Sequence, residues 1–335
     1  MSRWVQRVAE SSRFHRWLVQ ATGPYATVFT LHRPKPEDGL FNGISETLLK
    51  RCLEYAHRAG YEFVSIDELV KRALCGDSAG HRMVCITLDD GYADQLTRFV
   101  PLLLEYDAKP TLFVISDFAD DRDWPWDAQL AYAIKRCDKT PLRLETGDFR
   151  RVLDLSTKAA QIAARRTIVQ YAKTLPYEQL AAFVASVATA CEVAIPARAP
   201  EGYRPATWDR LREWEQKGLR VGSHNRSHHI LNALPPDRVS AELAHSLARL
   251  RLEIKSPSSV FCYPSGTARD FSPLHEPLVE TAGYDSAITT LSRVAYFRDI
   301  RRNPYRISRI GFPETVTQFA RYASWMEALR SKAPF

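Results

Sequence analysis

The 335-residue sequence lacks several features that would assign it to a specialised class of protein. It has no apolar stretch approaching the roughly 18 residues that a membrane-spanning helix needs. It also shows no internal repeat and no low-complexity segment. Its apolar fraction of 45% and charged fraction of 25% are ordinary for a globular protein. We therefore expect a folded domain with a substantial core, rather than a fibre or a disordered chain.

The six cysteines show no C-x-x-C spacing, which argues against a thiolate zinc site and against a dense disulfide framework. Residues 1–20 mix four arginines and a glutamate with apolar residues, and they lack the apolar core and cleavage site of a secretory signal. We therefore expect a cytoplasmic protein. Peripheral membrane contact through an amphipathic N-terminal helix stays open.

The formal net charge of +7 is modest, and most of the basic residues are scattered along the chain. A basic excess favours anionic partners, but no recognisable nucleic-acid-binding module accompanies it. We therefore expect a solvated basic surface and no nucleic-acid partner. Nothing in the sequence indicates an oligomeric state.

Short apolar segments alternate with helical patterns along most of the chain, which is typical of a parallel α/β fold. Strands are predicted at 26–31, 61–66, 83–88, 111–115, 219–223, 259–263 and 286–290. Between about 121 and 200 we find helical patterns, at 159–171 and 177–190, and no convincing strand. The sequence therefore predicts an N-terminal helical segment (1–25) and one barrel-like domain (26–335) with a helical insertion.

Three polar segments each follow a predicted strand. Because active sites of parallel α/β barrels form where the carboxyl ends of the strands meet, these segments can lie together. The segments are TLDDGY (87–92), SHNRSHH (223–229) and FCYPSG (261–266).

The adjacent carboxylates of Asp89 and Asp90 are costly at a buried strand end unless something compensates their charge. A divalent metal ion is the natural compensation. Neighbouring strand residues point to opposite sides, so one aspartate is expected to bind the metal and the other to act as a base. Taken alone, this segment favours a simple Asp-Gly turn or a helix cap.

The H-x-x-x-H spacing of His224 and His228 brings two imidazoles within reach of one ion. His229 is the alternative second ligand if the segment is not helical. Two histidines and one aspartate leave open positions on the metal, where an activated water can attack an amide carbonyl. The same ligands also suit Fe(II), so a non-haem iron oxygenase is an alternative.

Together these segments resemble the motifs of the polysaccharide deacetylase family, also called the NodB homology domain. TLDDGYAD (87–94) resembles T-F-D-D-G, VGSHNRSHHIL (221–231) resembles G-S-H-[TS]-x-[TS]-H-P-x-L, and FCYPSG (261–266) resembles F-x-Y-P-x-G. Weaker similarities, including RISRI (306–310), extend the resemblance over roughly 26–312 in the expected order.

The resemblance implies a distorted, incomplete (β/α) barrel that hydrolyses the N-acetyl group of an amino sugar in a glycan. It makes Asp89 the catalytic base, and Asp90, His224 and His228 the ligands of a divalent metal. Zinc is the default metal, with Co²⁺, Ni²⁺ and Fe²⁺ as alternatives. The partner implied is an N-acetylated glycan. The expected substrate contacts are Tyr92, Tyr263, Pro264, Ser265 and Gly266, with the Ser265 amide helping to hold the oxyanion.

The chain also departs from the family pattern. The third motif lacks the arginine that pairs with the base, and we expect Arg309 to replace it. No L-x-H supplies a general acid, so His32 is the candidate for that role. Trp124, Trp126 and Tyr132 of the insertion are candidates for a sugar-binding wall. An inactive, glycan-binding member of a polymer-synthesis system is the remaining alternative.

Overall fold

A curled, mainly parallel sheet forms the centre of the computed structural model, which describes residues 11–36, 43–76 and 81–331. The strands are β1 (Tyr25–Leu31), β2 (Glu62–Phe63), β3 (Met83–Leu88), β4 (Thr111–Val114), β5 (Leu142–Thr146), β6 (Phe149–Leu153), β7 (Arg220–Ser223), β8 (Val260–Cys262), β9 (Ser286–Ile288), β10 (Ala295–Tyr296) and β11 (Ile310–Gly311). In the sheet they follow the order β10-β1-β3-β4-β7-β8-β9, with β11 beside β1 and β2 beside β3. Only β10 runs antiparallel to its neighbour in this sheet as described.

Helices connect the strands and cover the outside of the sheet. They are α1 (Ser12–Thr22), α2 (Glu46–Arg58), α3 (Ile66–Leu74), α4 (Val100–Glu105), α5 (Ser116–Ala119), α6 (Trp126–Arg136), α7 (Lys158–Ala172), α8 (Tyr177–Ala190), α9 (Trp208–Glu215), α10 (Pro236–Glu253), α11 (Glu276–Ala282), α12 (Phe297–Arg302), α13 (Val316–Ala323) and α14 (Trp325–Arg330). A π-helical turn at Gln95–Phe99 precedes α4.

The segment 307–311 links the two ends of the curled sheet. Ile307 pairs with Ile288 of β9, and Ile310 pairs with Phe29 of β1. The first and last parallel strands are therefore joined by one short stretch of chain. This arrangement is the distorted barrel that the sequence predicts.

The strands near the middle of the sheet are apolar because both of their faces are covered. All seven residues of β1 and all six residues of β3 are buried. Covered parallel strands are continuous apolar segments rather than alternating ones. This explains why the predicted strand at 83–88 has the same bounds in the structure. The strand predicted at 61–66 is shorter in the structure, because β2 covers only Glu62–Phe63 and α3 already begins at Ile66.

The segment 121–200 contains three helices, α6 to α8, but it also contains an antiparallel hairpin formed by β5 and β6. The expectation that this segment has no strand is therefore wrong. In β5, buried Leu142 and Leu144 alternate with exposed Arg143 and Glu145, a pattern too short and too charged to stand out. We propose that the segment is an insertion into one barrel domain, because the strands on both sides of it belong to the same sheet.

The N-terminal helical segment predicted at 1–25 is represented by α1, and residues 1–10 lie outside the described part of the chain. His15, Leu18 and Val19 of α1 are buried against the domain. Among the described residues, no helix is both long and apolar enough to cross a membrane.

The close approach of β7 to β4 gives a test of the packing. A Cβ atom added at Gly222 would lie 2.6 Å from a ring carbon of buried Phe113. We expect Gly222→Ala to lower the free energy of unfolding by about 1–3 kcal/mol, since overpacking strains a filled core. Gly311→Ala is the matched control, because no atom lies within 4 Å of its added Cβ. Urea denaturation that shows equal stability for both variants would contradict this packing.

Candidate metal and catalytic site

The three polar segments meet at the carboxyl ends of β3, β7 and β8, as the sequence predicts. These strands are close in the sheet, since β4 pairs with both β3 and β7, and β7 pairs with β8 at Ser223 and Phe261. Each segment leaves its strand at the same edge. The sheet therefore brings together residues that are up to about 175 positions apart in sequence.

Asp90, His224 and His228 form a compact cluster at this edge, with one potential ligand atom from each within 4.8 Å of the others. The Nε2 atom of His224 lies 3.6 Å from Oδ1 of Asp90, and Nε2 of His228 lies 3.5 Å from the same oxygen. His229 instead directs Nδ1 to the Ser227 hydroxyl, away from this cluster. The geometry thus favours His228 over His229 as the second imidazole.

Both clustered imidazoles are oriented through their other ring nitrogen. Nδ1 of His224 lies 2.9 Å from the carbonyl oxygen of Cys262, to which it can donate. Nδ1 of His228 lies 3.7 Å from Oδ1 of Asp127, longer than a hydrogen bond but within ion-pair range. Such partners fix which nitrogen of a histidine faces a metal. In both residues Nε2 is the nitrogen that faces the cluster.

The two imidazoles have different electrostatic surroundings. Burial lowers the pKa of His224 to about 4. Burial also acts to lower the pKa of His228, but Asp127 and Asp90 outweigh it and the pKa is raised. Burial would raise the pKa of Asp127, yet His228 and Arg165 hold it well below its usual range. His228 is therefore embedded between two carboxylates.

Backbone strain is concentrated at the site. Eight non-glycine residues in the described part of the chain have a positive φ. Four of them lie in the three polar segments, namely Asp90 at 80°, Asn225 at 68°, His228 at 60° and Ser265 at 58°. Residues held in this region cost free energy and are found most often at functional sites.

Asp89, the neighbour of Asp90, is buried and forms a two-pronged ion pair with Arg309. The guanidinium Nη1 lies 2.7 Å from Oδ1 of Asp89, and Nη2 lies 2.8 Å from Oδ2. The expected replacement of the family arginine by Arg309 thus matches the observed contact. Burial alone would raise the pKa of Asp89, but Arg309, with a smaller contribution from His224, holds it well below its usual range. Asp89 is therefore ionised at neutral pH.

Two further groups of side chains have potential metal-binding atoms close together, but their surroundings disfavour an ion. The first group consists of Asp89, His224 and Cys262. Asp89 is already paired with Arg309, and burial strongly raises the pKa of the Cys262 thiol. The second group contains Asp117, Asp120 and His245. Arginine side chains surround it within ion-pair distance, namely Arg122, Arg226 and Arg249.

A cavity of about 380 Å³ opens beside Asp90, near the lower end of the range for ligand pockets. Its lining includes His32 and Tyr92 from the barrel, and Asp127 and Arg165 from the insertion. Arg165 donates to Asp127 at 3.2 Å. Sequence reasoning did not identify Asp127 or Arg165, because nothing in helical segments so far from the three motifs marks them.

The other predicted site residues occupy three kinds of position. Tyr92 and His32 line the cavity, and the side chain of His32 is exposed. Pro264, Ser265 and Gly266 form the turn after β8, where Thr290 donates to the Ser265 carbonyl at 2.6 Å. Tyr263, in contrast, is buried and stacks on Phe271 with ring centres 4.3 Å apart. Its ring thus supports the turn from within the core.

Two of the three residues expected in the sugar-binding wall of the insertion are largely buried, and one of them, Trp126, still borders a groove of about 740 Å³. Trp124 and Trp126 are buried, with 3% and 7% of their surface exposed. Trp124 packs against Tyr132 and Tyr203. The indole Nε1 of Trp126 donates to the carbonyl oxygen of His228 at 3.2 Å. These rings anchor the insertion to the barrel, since their large apolar surfaces are covered.

Glu242 of α10 is a further residue that the motifs did not reveal. Its carboxylate accepts hydrogen bonds from the Ser227 hydroxyl at 2.6 Å and from the Asn225 amide at 2.8 Å. It therefore braces the loop that carries His224 and His228. Asn225, which departs from the family motif, has a structural explanation in this contact.

The model of the polysaccharide deacetylase family matches residues 76–286, more than half of the chain. The chain belongs to the polysaccharide deacetylase family. It is accordingly a carbohydrate deacetylase, a hydrolase of amide C–N bonds. The matched region contains all three polar segments and the entire insertion.

Solved structures of deacetylases share the fold. The Streptococcus pyogenes deacetylase PplD in complex with acetate aligns with a TM-score of 0.58 at 15% identity, covering 93% of this chain and 99% of that one. IcaB from Ammonifex degensii aligns with a TM-score of 0.55 at 18% identity, covering 90% of this chain and 98% of that one. A de-N-acetylase from Aggregatibacter actinomycetemcomitans aligns with a TM-score of 0.55 at 15% identity, covering 88% of this chain and 100% of that one. No curated protein matches the sequence. At these identities the structural likeness establishes the fold.

The buried ion pair gives the second prediction. We expect Arg309→Met to lower the free energy of unfolding by about 3–5 kcal/mol, because it leaves Asp89 charged and unpaired in the core. Asp89→Asn in the same background should restore part of the loss by removing that charge. Denaturant titrations of the single and double variants measure both effects.

Arg210→Met is the matched control, since Arg210 pairs with Glu213 on the surface with about half of each side chain exposed. An exposed pair contributes less than about 1 kcal/mol. A loss of similar size in the Arg210 and Arg309 variants would contradict the role given to the buried pair.

Proposed function

We propose that this deacetylase removes the N-acetyl group of an amino sugar in a glycan by metal-dependent hydrolysis. The observation that carries the proposal is the cluster of Asp90, His224 and His228 beside the ionised Asp89. One set of side chains is suited to binding a cation, and a separate one is suited to accepting a proton. Amide hydrolysis requires both functions.

The cluster fits a divalent metal by the chemistry of its donors. Two imidazole nitrogens and one carboxylate oxygen form a set that binds zinc and leaves positions open for other ligands. We propose Zn²⁺ as the resident ion, and Co²⁺, Ni²⁺ and Fe²⁺ suit the same donors. When bound, such an ion would polarise the amide carbonyl of the substrate and lower the pKa of a water molecule.

Asp89 is the proposed base. Arg309 keeps it ionised, and the same contact fixes both carboxylate oxygens, so that Asp89 accepts a proton without first reorganising. Thr30 also donates to Oδ2 of Asp89 at 3.2 Å. A preorganised polar group costs little to align during the reaction.

We propose that the Ser265 backbone amide helps to hold the oxyanion and that His32 returns a proton to the leaving amine. Ser265 lies in the strained turn after β8, with a φ of 58°. His32 follows β1 and lines the same cavity as Asp90. Both assignments rest on position at the site.

The substrate proposal is an oligomeric or polymeric N-acetylated glycan. The 380 Å³ cavity beside Asp90 suits one sugar unit with its acetyl group. Two larger grooves, of about 1010 and 740 Å³, lie along the insertion, and the second is lined by Ser227 and His229. These grooves provide room for neighbouring units of a chain, although a lipid-linked glycan would present the same chemistry.

The alternatives raised by the sequence have less support. The non-haem oxygenase alternative conflicts with membership of a hydrolase family. The inactive, glycan-binding alternative would be favoured by a missing ligand or base. The structure instead brings Asp89, Asp90, His224 and His228 to one edge of the sheet.

Removal of the base and of a ligand should have separable effects. We expect Asp89→Asn to lower deacetylation about 10²–10⁴-fold while metal stays bound, because it removes the proposed general base and leaves the three proposed ligands in place. Asp90→Ala should lose both metal and activity. Acetate release from N-acetylated chito-oligosaccharides, measured together with metal content, distinguishes the two.

Asp237→Asn, at the exposed start of α10, is the control and should retain full activity. If Asp89→Asn hydrolyses the oligosaccharides as fast as the unaltered protein, Asp89 is not the base. A metal-loaded protein that releases no acetate from a broad range of N-acetylated glycans would count against the proposed function itself.

The insertion residue Asp127 gives a prediction about metal affinity. Its carboxylate faces Nδ1 of His228, and loss of such a partner weakens metal binding about 10–100-fold. We therefore expect a drop of that size in Zn²⁺ affinity for Asp127→Asn, measured on metal-free protein by competition with a chromophoric chelator. Asp123→Asn is the control, because Asp123 contacts Trp124 and Gln129 instead. Equal affinities for the two variants would refute the coupling.

A further inference from the structure

An apolar patch lies on the two helices at the ends of the described chain. Of the seven large apolar side chains that are clearly exposed among the described residues, three belong to α1 and α14. Trp17 is 60% exposed, Phe14 is 51% exposed and Leu329 is 49% exposed. Trp17 and Phe14 are also the only aromatic residues in that group of seven. The cluster is unusual because large aromatic side chains are costly to leave in water.

The two helices present these side chains together. Phe14 stacks on Trp325 of α14 with ring centres 5.3 Å apart. Leu329 lies one helical turn after Trp325, on the same face of α14. We call Phe14, Trp17, Trp325 and Leu329 the terminal-helix patch.

Arginine side chains accompany the aromatic ones on the outer face of α1. Arg13 and Arg16 are exposed beside Trp17 on the outer face of the helix, whereas His15, Leu18 and Val19 are buried. Residues 1–20 contain four arginines and one acidic residue. A helix that packs one side on its own domain and exposes Trp, Phe and Arg on the other has the composition of an interfacial helix.

The acidic residue nearest this face on α14 does not offset the arginines. Glu327 is 2% exposed and pairs with Arg330, whose side chain is 53% exposed. The charged group of this pair that faces solvent is therefore the positive guanidinium of Arg330. Exposed aromatic rings insert at the level of lipid headgroups, and arginines attract anionic lipids.

We propose that the terminal-helix patch, with Arg13 and Arg16, docks the protein on an anionic phospholipid surface. The charge selects this occupant, because a purely apolar partner would leave both guanidinium groups desolvated without compensation. A lipid surface offers phosphate groups and an apolar layer at adjacent depths. It matches the mixture of side chains on α1.

The docking face lies away from the proposed catalytic site. α1 leads through Gly23 and Pro24 into the start of β1, whereas the site lies at the carboxyl end of the strands. The seven residues of β1 span about 20 Å at the rise of a β-strand. Docking through α1 therefore leaves the cavity beside Asp90 open to solvent. Membrane binding and deacetylation can be measured independently.

Vesicle co-sedimentation of the full chain tests the proposal. The protein should pellet with vesicles of phosphatidylglycerol and phosphatidylcholine at low salt, bind pure phosphatidylcholine vesicles at least about tenfold more weakly, and lose binding as salt rises. Phe14→Ala/Trp17→Ala and, separately, Arg13→Glu/Arg16→Glu should each reduce partitioning about tenfold or more. Acetate release from soluble oligosaccharides should not change in either variant.

The controls remove the same chemistry elsewhere on the surface. Leu252→Ala/Leu274→Ala deletes two apolar side chains that are 73% and 80% exposed. Arg143→Glu/Arg150→Glu makes the same change in net charge on the hairpin of the insertion, where both residues are exposed. Both control proteins should bind vesicles like the unaltered chain, and circular dichroism should show the same fold for all variants.

Three results would overturn the proposal. One is equal binding to anionic and neutral vesicles, and another is an equal loss of binding in the control variants. The third is failure of the unaltered chain to bind vesicles. Sedimentation velocity would then test whether the patch instead mediates self-association that Phe14→Ala/Trp17→Ala disrupts. None of these results bears on acetate release, so the proposed function would stand or fall separately.

Discussion

The buried ion pair between Asp89 and Arg309 constrains the barrel and the chemistry together. The Arg309 guanidinium also donates to Thr30 at 3.0 Å and to Thr87 at 2.9 Å, and its Nε donates to the carbonyl of Thr289 at 3.0 Å. It therefore connects β1, β3 and the end of β9 from inside the sheet. A charge this deeply buried persists only with a complete set of partners. The contacts that hold Arg309 also keep Asp89 ionised.

The insertion is the second constraint, because it reaches back into the edge of the sheet. Trp126 donates to the backbone of His228, and Asp127 faces the ring of the same histidine. One end of α6 thus contacts both the main chain and the side chain of a proposed ligand. Its own apolar core holds α6, α7, α8 and the hairpin as one unit. The insertion therefore shapes the proposed site as well as its surroundings.

The sequence predicted features that depend on neighbouring residues. Covered strands such as β3 are continuous apolar runs, and the ligand motifs follow strand ends. It did not predict contacts between distant segments without a motif, of which Asp127 and Glu242 are examples. The hairpin β5–β6 was missed because four of the ten residues in its two strands are polar and exposed. Tyr263 was assigned to the substrate, but a residue between a strand and a turn can equally face the core, as it does here.

The central claim is that Asp90, His224 and His228 hold the metal while Asp89 stays free of it. Anomalous X-ray scattering from crystals grown with Zn²⁺, recorded on both sides of the zinc absorption edge, tests this claim most directly. The account predicts one strong zinc peak enclosed by the side chains of Asp90, His224 and His228, with Asp89 still paired to Arg309. A peak bound instead by Asp89 and Cys262, or no peak at the three predicted ligands, would contradict it.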